Sequence, residues 1–168
     1  ANIIDATDPG GNTRVGNAAG NSFTVGAAVN NTLIGKNSGT AITIADNCTF
    51  IGHSAGDAVT TGSNNTALGY KALTADTTGE RNVAIGNAAL EENTTANDNT
   101  AGNAAMSANT TGASNVAVGR QALTANTTAA NNTAVGHNSL LSNTTGGNNT
   151  AVGDQALSAN TTADGNTA

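Results

Sequence analysis

The chain has 168 residues, of which 37% are apolar, 2% aromatic and 10% charged, and its formal net charge is −6. So few large side chains cannot fill an ordinary compact core; a thin core drawn out along an axis suits the composition better. The acidic balance and five scattered basic residues exclude the Lys/Arg clusters that phosphate contacts need, so no nucleic-acid partner is expected.

Cys48 is the only cysteine, which rules out an intrachain disulfide and cysteine metal spacing. No apolar run approaches the roughly 20 residues of a membrane helix, and no signal peptide is visible. The chain begins without Met and stops inside a repeat, at Asn166-Thr167-Ala168. It therefore reads as a fragment or processed product whose repeats continue beyond it.

Residues 1–11 (ANIIDATDPGG) hold the only proline, followed by two glycines. That is turn and linker chemistry. The segment is expected to be a linker or a strand leading in, with Ile3 and Ile4 packing on the first coil.

From residue 12 to 168 the chain is one short unit repeated. The pentad Asn132-Thr133-Ala134-Val135-Gly136 returns as Asn149-Thr150-Ala151-Val152-Gly153, and earlier as Asn115-Val116-Ala117-Val118-Gly119. Its glycine stands at Gly16, Gly35, Gly52, Gly69, Gly86, Gly102, Gly119, Gly136 and Gly153, in steps of 19, 17, 17, 17, 16, 17, 17 and 17 residues. A fixed period of this size marks a repeat architecture. Short Thr/Val/Ile runs bounded by Gly, Asn and Asp read as strands. Helix is disfavoured, because Gly, Asn and Thr are poor helix formers and the apolar residues lack the 3.6 spacing. The expected fold is all-β: a β-roll or β-helix solenoid with one coil of about 17 residues per repeat.

The columns read down this stack carry the detail. Before the glycine stand Val15, Ile34, Ile51, Leu68, Ile85, Val118, Val135 and Val152, an aliphatic ladder expected to build the stacked core. Three residues after it only Ala and Ser occur. Four before it the column is Asn, broken once by Cys48; a turn column is expected there, since Asn tolerates left-handed backbone, and stacked amides can also bond as a ladder. Leu33 and Phe50, two before the glycine, coincide with Gly39 and Gly56, four after it; later coils carry Ala and Leu (once Met106) at those places. Anticorrelated sizes suggest that the two columns share one space.

The short step leaves Asn99-Thr100-Ala101-Gly102 without its aliphatic residue. A distortion confined to Ala101-Gly102 and a gap in the ladder are expected, with Gly102 taking unusual backbone angles.

The residue after the glycine varies freely (Lys36, His53, Tyr70, Arg120, His137, Asp154) and is expected to face water. Tyr70, His53 and His137 are therefore candidates for surface contact. The two histidines lie five coils apart, roughly 24 Å at the usual strand spacing, and cannot share a metal within one chain. The acids read as scattered solvated charge, with no fixed carboxylate pair for acid–base work. Catalysis, cofactors and metals are not expected.

The pentad resembles the Ser-Val-Ala-Ile-Gly repeat of YadA-like heads in trimeric autotransporter adhesins. The longer form, Asn-Thr-Ala-Val-Gly-x-Gln-Ala-Leu-x-x-Asn-Thr-Thr, is similar to repeats of bacteriophage tail-fibre proteins. The resemblance covers residues 12–168. It implies a left-handed solenoid in a homotrimer, with Thr133 and Val135 pointing into the roll and Ala134 toward the trimer axis. It also implies an extracellular place, on a virion tail fibre or a bacterial surface. The chain's partner would be itself, with a host-surface glycan or protein bound through adjoining regions and no membrane contact by this segment. The coils are longer than the roughly fourteen residues of adhesin heads, so a two- or three-sided coil stays open. Two rivals are a disordered low-complexity linker and an ice-binding solenoid. The linker is disfavoured by the ordered columns. The ice reading rests on the Asn-Thr-Thr tracts, where strand alternation would turn only one threonine column outward.

Overall fold

The computed structural model describes residues 9–24 and 26–168; Ile3 and Ile4 lie outside them. Each coil contributes one short strand: β1 (Thr13–Val15), β2 (Thr32–Ile34), β3 (Thr49–Ile51), β4 (Thr66–Leu68), β5 (Val83–Ile85), β6 (Thr100–Ala101), β7 (Val116–Val118), β8 (Thr133–Val135) and β9 (Thr150–Val152). They form one parallel sheet in sequence order. The register pairs like positions throughout, as Thr133 with Thr150 and Val135 with Val152. The described residues thus form an all-β solenoid with about 17 residues per coil and no helix. Among the described residues stacking begins at Gly10, whose carbonyl accepts the Asn30 N–H at 2.8 Å.

The rest of each coil is turn, and turn stacks on turn. In the coil after β7 the Leu123 N–H donates to the Ser139 carbonyl at 3.0 Å and the Ala125 N–H to Leu141 at 3.1 Å. Three non-glycine residues of that coil are left-handed: Gln121 (φ 61°), Leu123 (φ 52°) and Asn131 (φ 62°). The left-handed asparagine is thus the one before the buried Asn132, and the buried column itself is not left-handed, contrary to the expectation from sequence. The repeat glycine is fixed by two constraints. Gly119 has φ 138°, and an added Cβ would stand 2.4 Å from the Gly136 carbonyl oxygen. No L side chain fits that approach.

The core is narrow and changes composition along its length. In the later coils Leu73, Leu90, Met106, Leu123 and Leu140 fill it, with Ala67, Ala84, Ala101, Ala117 and Ala134 beside them, all buried. In the earlier coils Leu33 and Phe50 take that space. A Cβ on Gly56 would meet Phe50 Cε2 at 2.4 Å, and one on Gly39 would meet Leu33 Cδ2 at 2.9 Å. The two columns therefore do exchange volume.

The strand faces run opposite to the expectation. The central Ala67, Ala84, Ala117, Ala134 and Ala151 point inward, while the aliphatic ladder points out: Ile85 and Val118 are each 48% exposed and Val152 61%. A three-residue strand alternates sides. With the small residue inside, beside the Leu column, Thr133 and Val135 must both face away from the core. The ladder is a real column of the sheet, but it is a surface.

The short repeat is absorbed differently as well. The Gly102 N–H donates to the Ala117 carbonyl at 2.9 Å, the bond made elsewhere by the ladder residue. Its own carbonyl accepts the Ala105 N–H at 3.1 Å, the turn bond made elsewhere by the repeat glycine. One residue fills both places. Asn103 then lies over Gly86, whose Cβ would stand 2.6 Å from the Asn103 Cα. The shift sits at Gly102-Asn103 rather than Ala101-Gly102. Gly102 is not left-handed, and a Cβ there would find only ordinary contact at 3.5 Å. The expected gap between Ile85 and Val118 is present.

Candidate functional surface

Two interior asparagine ladders hold the coils in register. In the first, each backbone N–H donates to the amide oxygen one coil back, as Asn132 to Asn115 at 2.9 Å and Asn149 to Asn132 at 3.0 Å. In the second, amide donates to amide: Asn109 to Asn93 at 3.0 Å, Asn126 to Asn109 at 2.8 Å, Asn143 to Asn126 at 3.3 Å and Asn160 to Asn143 at 2.8 Å. A buried amide without partners is costly, so a coil cannot slip without breaking several such bonds. These are the asparagines of the Asn-Thr-Thr tracts. Of their threonines, the first bonds along the stack, as Thr127 Oγ1 to the Thr144 carbonyl at 3.3 Å. The second is exposed, at Thr95, Thr111, Thr128, Thr145 and Thr162, as are Thr61 and Thr78 at the same place in earlier coils. Of the two adjacent threonines, only the second forms an exposed column throughout.

Asp76 ends the second ladder, and sequence reading missed it by grouping it with the solvated acids. It is fully buried. Its carboxylate accepts the Gly79 N–H at 2.8 Å and the Asn82 amide at 3.5 Å, and Asn93 also donates to it. Burial raises its pKa from 3.8 to about 6, against the lowering effect of these bonds. The signal was present in the columns: Asp76 occupies the place of Asn93, Asn109 and Asn126. Beyond it the column becomes Val59 and Ile42, which accept nothing. A carboxylate, which only accepts, suits the end of a ladder of donors.

Cys48 interrupts the first ladder. Its N–H still donates to Asn31 Oδ1 at 2.9 Å, and its thiol to the Gly62 carbonyl at 3.4 Å. Burial pushes the thiol up to about 11, so at neutral pH it is protonated and a poor nucleophile.

On the outside, the column after the repeat glycine does face water. The structure brings His53 and Tyr70 together on neighbouring coils, with ring centroids 5.5 Å apart and planes 14° from parallel. Lys71 Nζ lies 5.8 Å from the Tyr70 ring and 3.0 Å from Glu91, which raises its pKa. His137 stands apart, 3.0 Å from Asp154. Along another edge Arg81 grips Asp98 through Nε at 2.7 Å and reaches Glu80 at 2.7 Å, and the Asp98 pKa is lowered accordingly. Among the described residues no three His, Cys, Asp or Glu side chains stand close enough to hold a metal ion. Among the described residues no helix is long and apolar enough to cross a membrane.

The outer face of the sheet is a further regular surface. One column is Thr13, Thr32, Thr49, Thr66, Val83, Thr100, Val116, Thr133 and Thr150; the other is the aliphatic ladder with its gap at Gly102. Neither column carries a charge. Comparison of the chain with protein families, curated proteins and solved structures finds no match.

Proposed function

We propose that this chain is the repetitive shaft or head of a homotrimeric extracellular fibre. It would hold a receptor-binding tip away from its base, first as part of a phage tail fibre and alternatively as the head of a bacterial surface adhesin. The observation that carries the reading is the solenoid's uniformity. Nine strands repeat one rung, so the described residues offer length and a periodic surface. Stacked repeats of this kind extend without limit, which is what a spacer requires. The pentad and the Asn-Thr-Thr tracts support the fibre assignment by resemblance, and left-handed winding comes with it. Host-surface contact would belong to adjoining regions, with the stacked His53 and Tyr70 as an exposed aromatic pair of this segment. The test is sedimentation equilibrium with electron microscopy of the purified chain. A trimeric rod is expected; a folded monomer at micromolar concentration contradicts the reading.

A second reading is ice binding, favoured by the exposed column Thr61 to Thr162, one threonine per coil. Thermal hysteresis in the purified chain is its measurement; none is expected from a fibre shaft.

A further inference from the structure

We infer that a weak seam divides the solenoid between the coil of residues 48–64 and the coil of residues 65–81. Across it the first coils open and close as one unit while the rest of the stack stays folded. The seam stands whether or not the chain serves in a fibre, because it follows from what ties coil to coil.

Three columns change at this one boundary. In the first asparagine ladder the Cys48 N–H donates to Asn31 Oδ1 at 2.9 Å on one side, and the Asn82 N–H to Asn65 Oδ1 at 2.9 Å on the other. Between them Cys48 offers the Asn65 N–H only sulfur, a weak acceptor. In the second ladder, amide bonds run from Asn160 back to Asn93, and Asn93 donates to Asp76. The next place is Val59, whose side chain neither donates nor accepts. The core columns exchange here too: Phe50 with Gly56 is followed by Ala67 with Leu73.

From residue 65 onward both ladders cross each boundary as far as Asn160. Before residue 48 the first ladder still crosses, from Asn31 to Asn12 at 2.8 Å and from Cys48 to Asn31. At the seam neither ladder does. The Lys71–Glu91 and Arg81–Asp98 pairs tie the following boundary and do not reach back across this one. What does cross is common to every coil: the Thr49 N–H to the Asn65 carbonyl at 2.9 Å, and Thr60 Oγ1 to the Thr77 carbonyl at 2.9 Å, as Thr77 Oγ1 bonds Thr94 one coil on. The stacked His53 and Tyr70 rings bridge the seam only on the exposed outside. In a stack of repeats, stability is a sum of coil terms and neighbour interfaces, so one weak interface splits the cooperative unit in two. The block holding β1 to β3 is the shorter and opens first.

Hydrogen exchange of the full native chain, read by mass spectrometry, tests this. Peptides from residues 13–60 should share one low protection, rising by about tenfold or more in a single step at peptides from residue 66 onward. Protection that climbs coil by coil from the first coil would be simple fraying and overturns the seam. So does a step at Gly102, which would make the short coil the weak point. A thiol reagent in mild urea gives a second reading: Cys48 should be labelled while peptides beyond residue 66 remain protected. Labelling that waits for exchange of the whole chain contradicts a separate opening. Cys48→Asn should shrink the step; a folded variant with the step unchanged would show that the missing ladder bond does not cause it.

Discussion

Asp76 stands where five later coils carry asparagine, and its burial makes a prediction about pH. Its pKa is raised from 3.8 to about 6. Below about pH 4 folded and unfolded chains both hold the proton. Between about 4 and 6 the unfolded chain releases it and the folded chain keeps it, so stability falls as pH rises through that window and levels off above it. The cost at neutral pH is on the order of 3 kcal/mol. Asp76→Asn should remove most of this. The variant is expected to match the native chain in urea melts at pH 4 and to exceed it by on the order of 2 kcal/mol at pH 7. A constant difference at both pH values would contradict the buried, raised carboxylate. Cys48 makes the complementary case. Cys48→Asn supplies an amide oxygen for the Asn65 N–H and puts an amide donor in place of the thiol's weaker bond to the Gly62 carbonyl, and should stabilise by about 1 kcal/mol in the same melts; a loss would mean that the site has no room for an amide. In the native chain the thiol should resist thiol reagents until the fold opens.

At the scale of one coil, Phe50 and Gly56 define an exchange of volume. Gly56→Leu alone should overpack the site by about 1–3 kcal/mol, since even its Cβ would collide with the Phe50 ring. Phe50→Ala alone should cost about 3–5 kcal/mol through the cavity it leaves. The double variant recreates the Ala–Leu pairing of later coils and should recover much of both losses. Additive losses across this double-mutant cycle would mean that the columns do not share space. This exchange was legible in the sequence, because paired sizes in fixed columns report one cavity. So were the strands, the period and the water-facing column of His53, Tyr70 and His137. The side of the sheet was not. A Thr-Ala-Val strand is apolar enough to bury either face, and only the packing of Leu123 against Ala117 and Ala134 inside the coil settles which. Asp76 was hidden for the opposite reason: its residue type argued for solvent while its column argued for burial, and the column was right. In the short coil, counting located the missing residue, but one glycine taking both the strand bond and the turn bond is a feature of three-dimensional geometry alone.

For the whole molecule, the outward ladder changes what the gap at Gly102 means. Inserting Val between Ala101 and Gly102 restores the pentad, but within one chain it adds surface rather than core. The melting temperature of dilute monomer should therefore move little, by the equivalent of about 0.5 kcal/mol or less. A large rise that is independent of concentration would place the ladder inside a single chain. The central proposal, that this uniform solenoid serves as the shaft or head of a three-chain fibre, is tested most directly by small-angle X-ray scattering of the full chain at micromolar concentration. The predicted result is a forward scattering of three chains with a rod-like profile. A single-chain mass with a folded profile, or the scattering of an expanded coil, would contradict it.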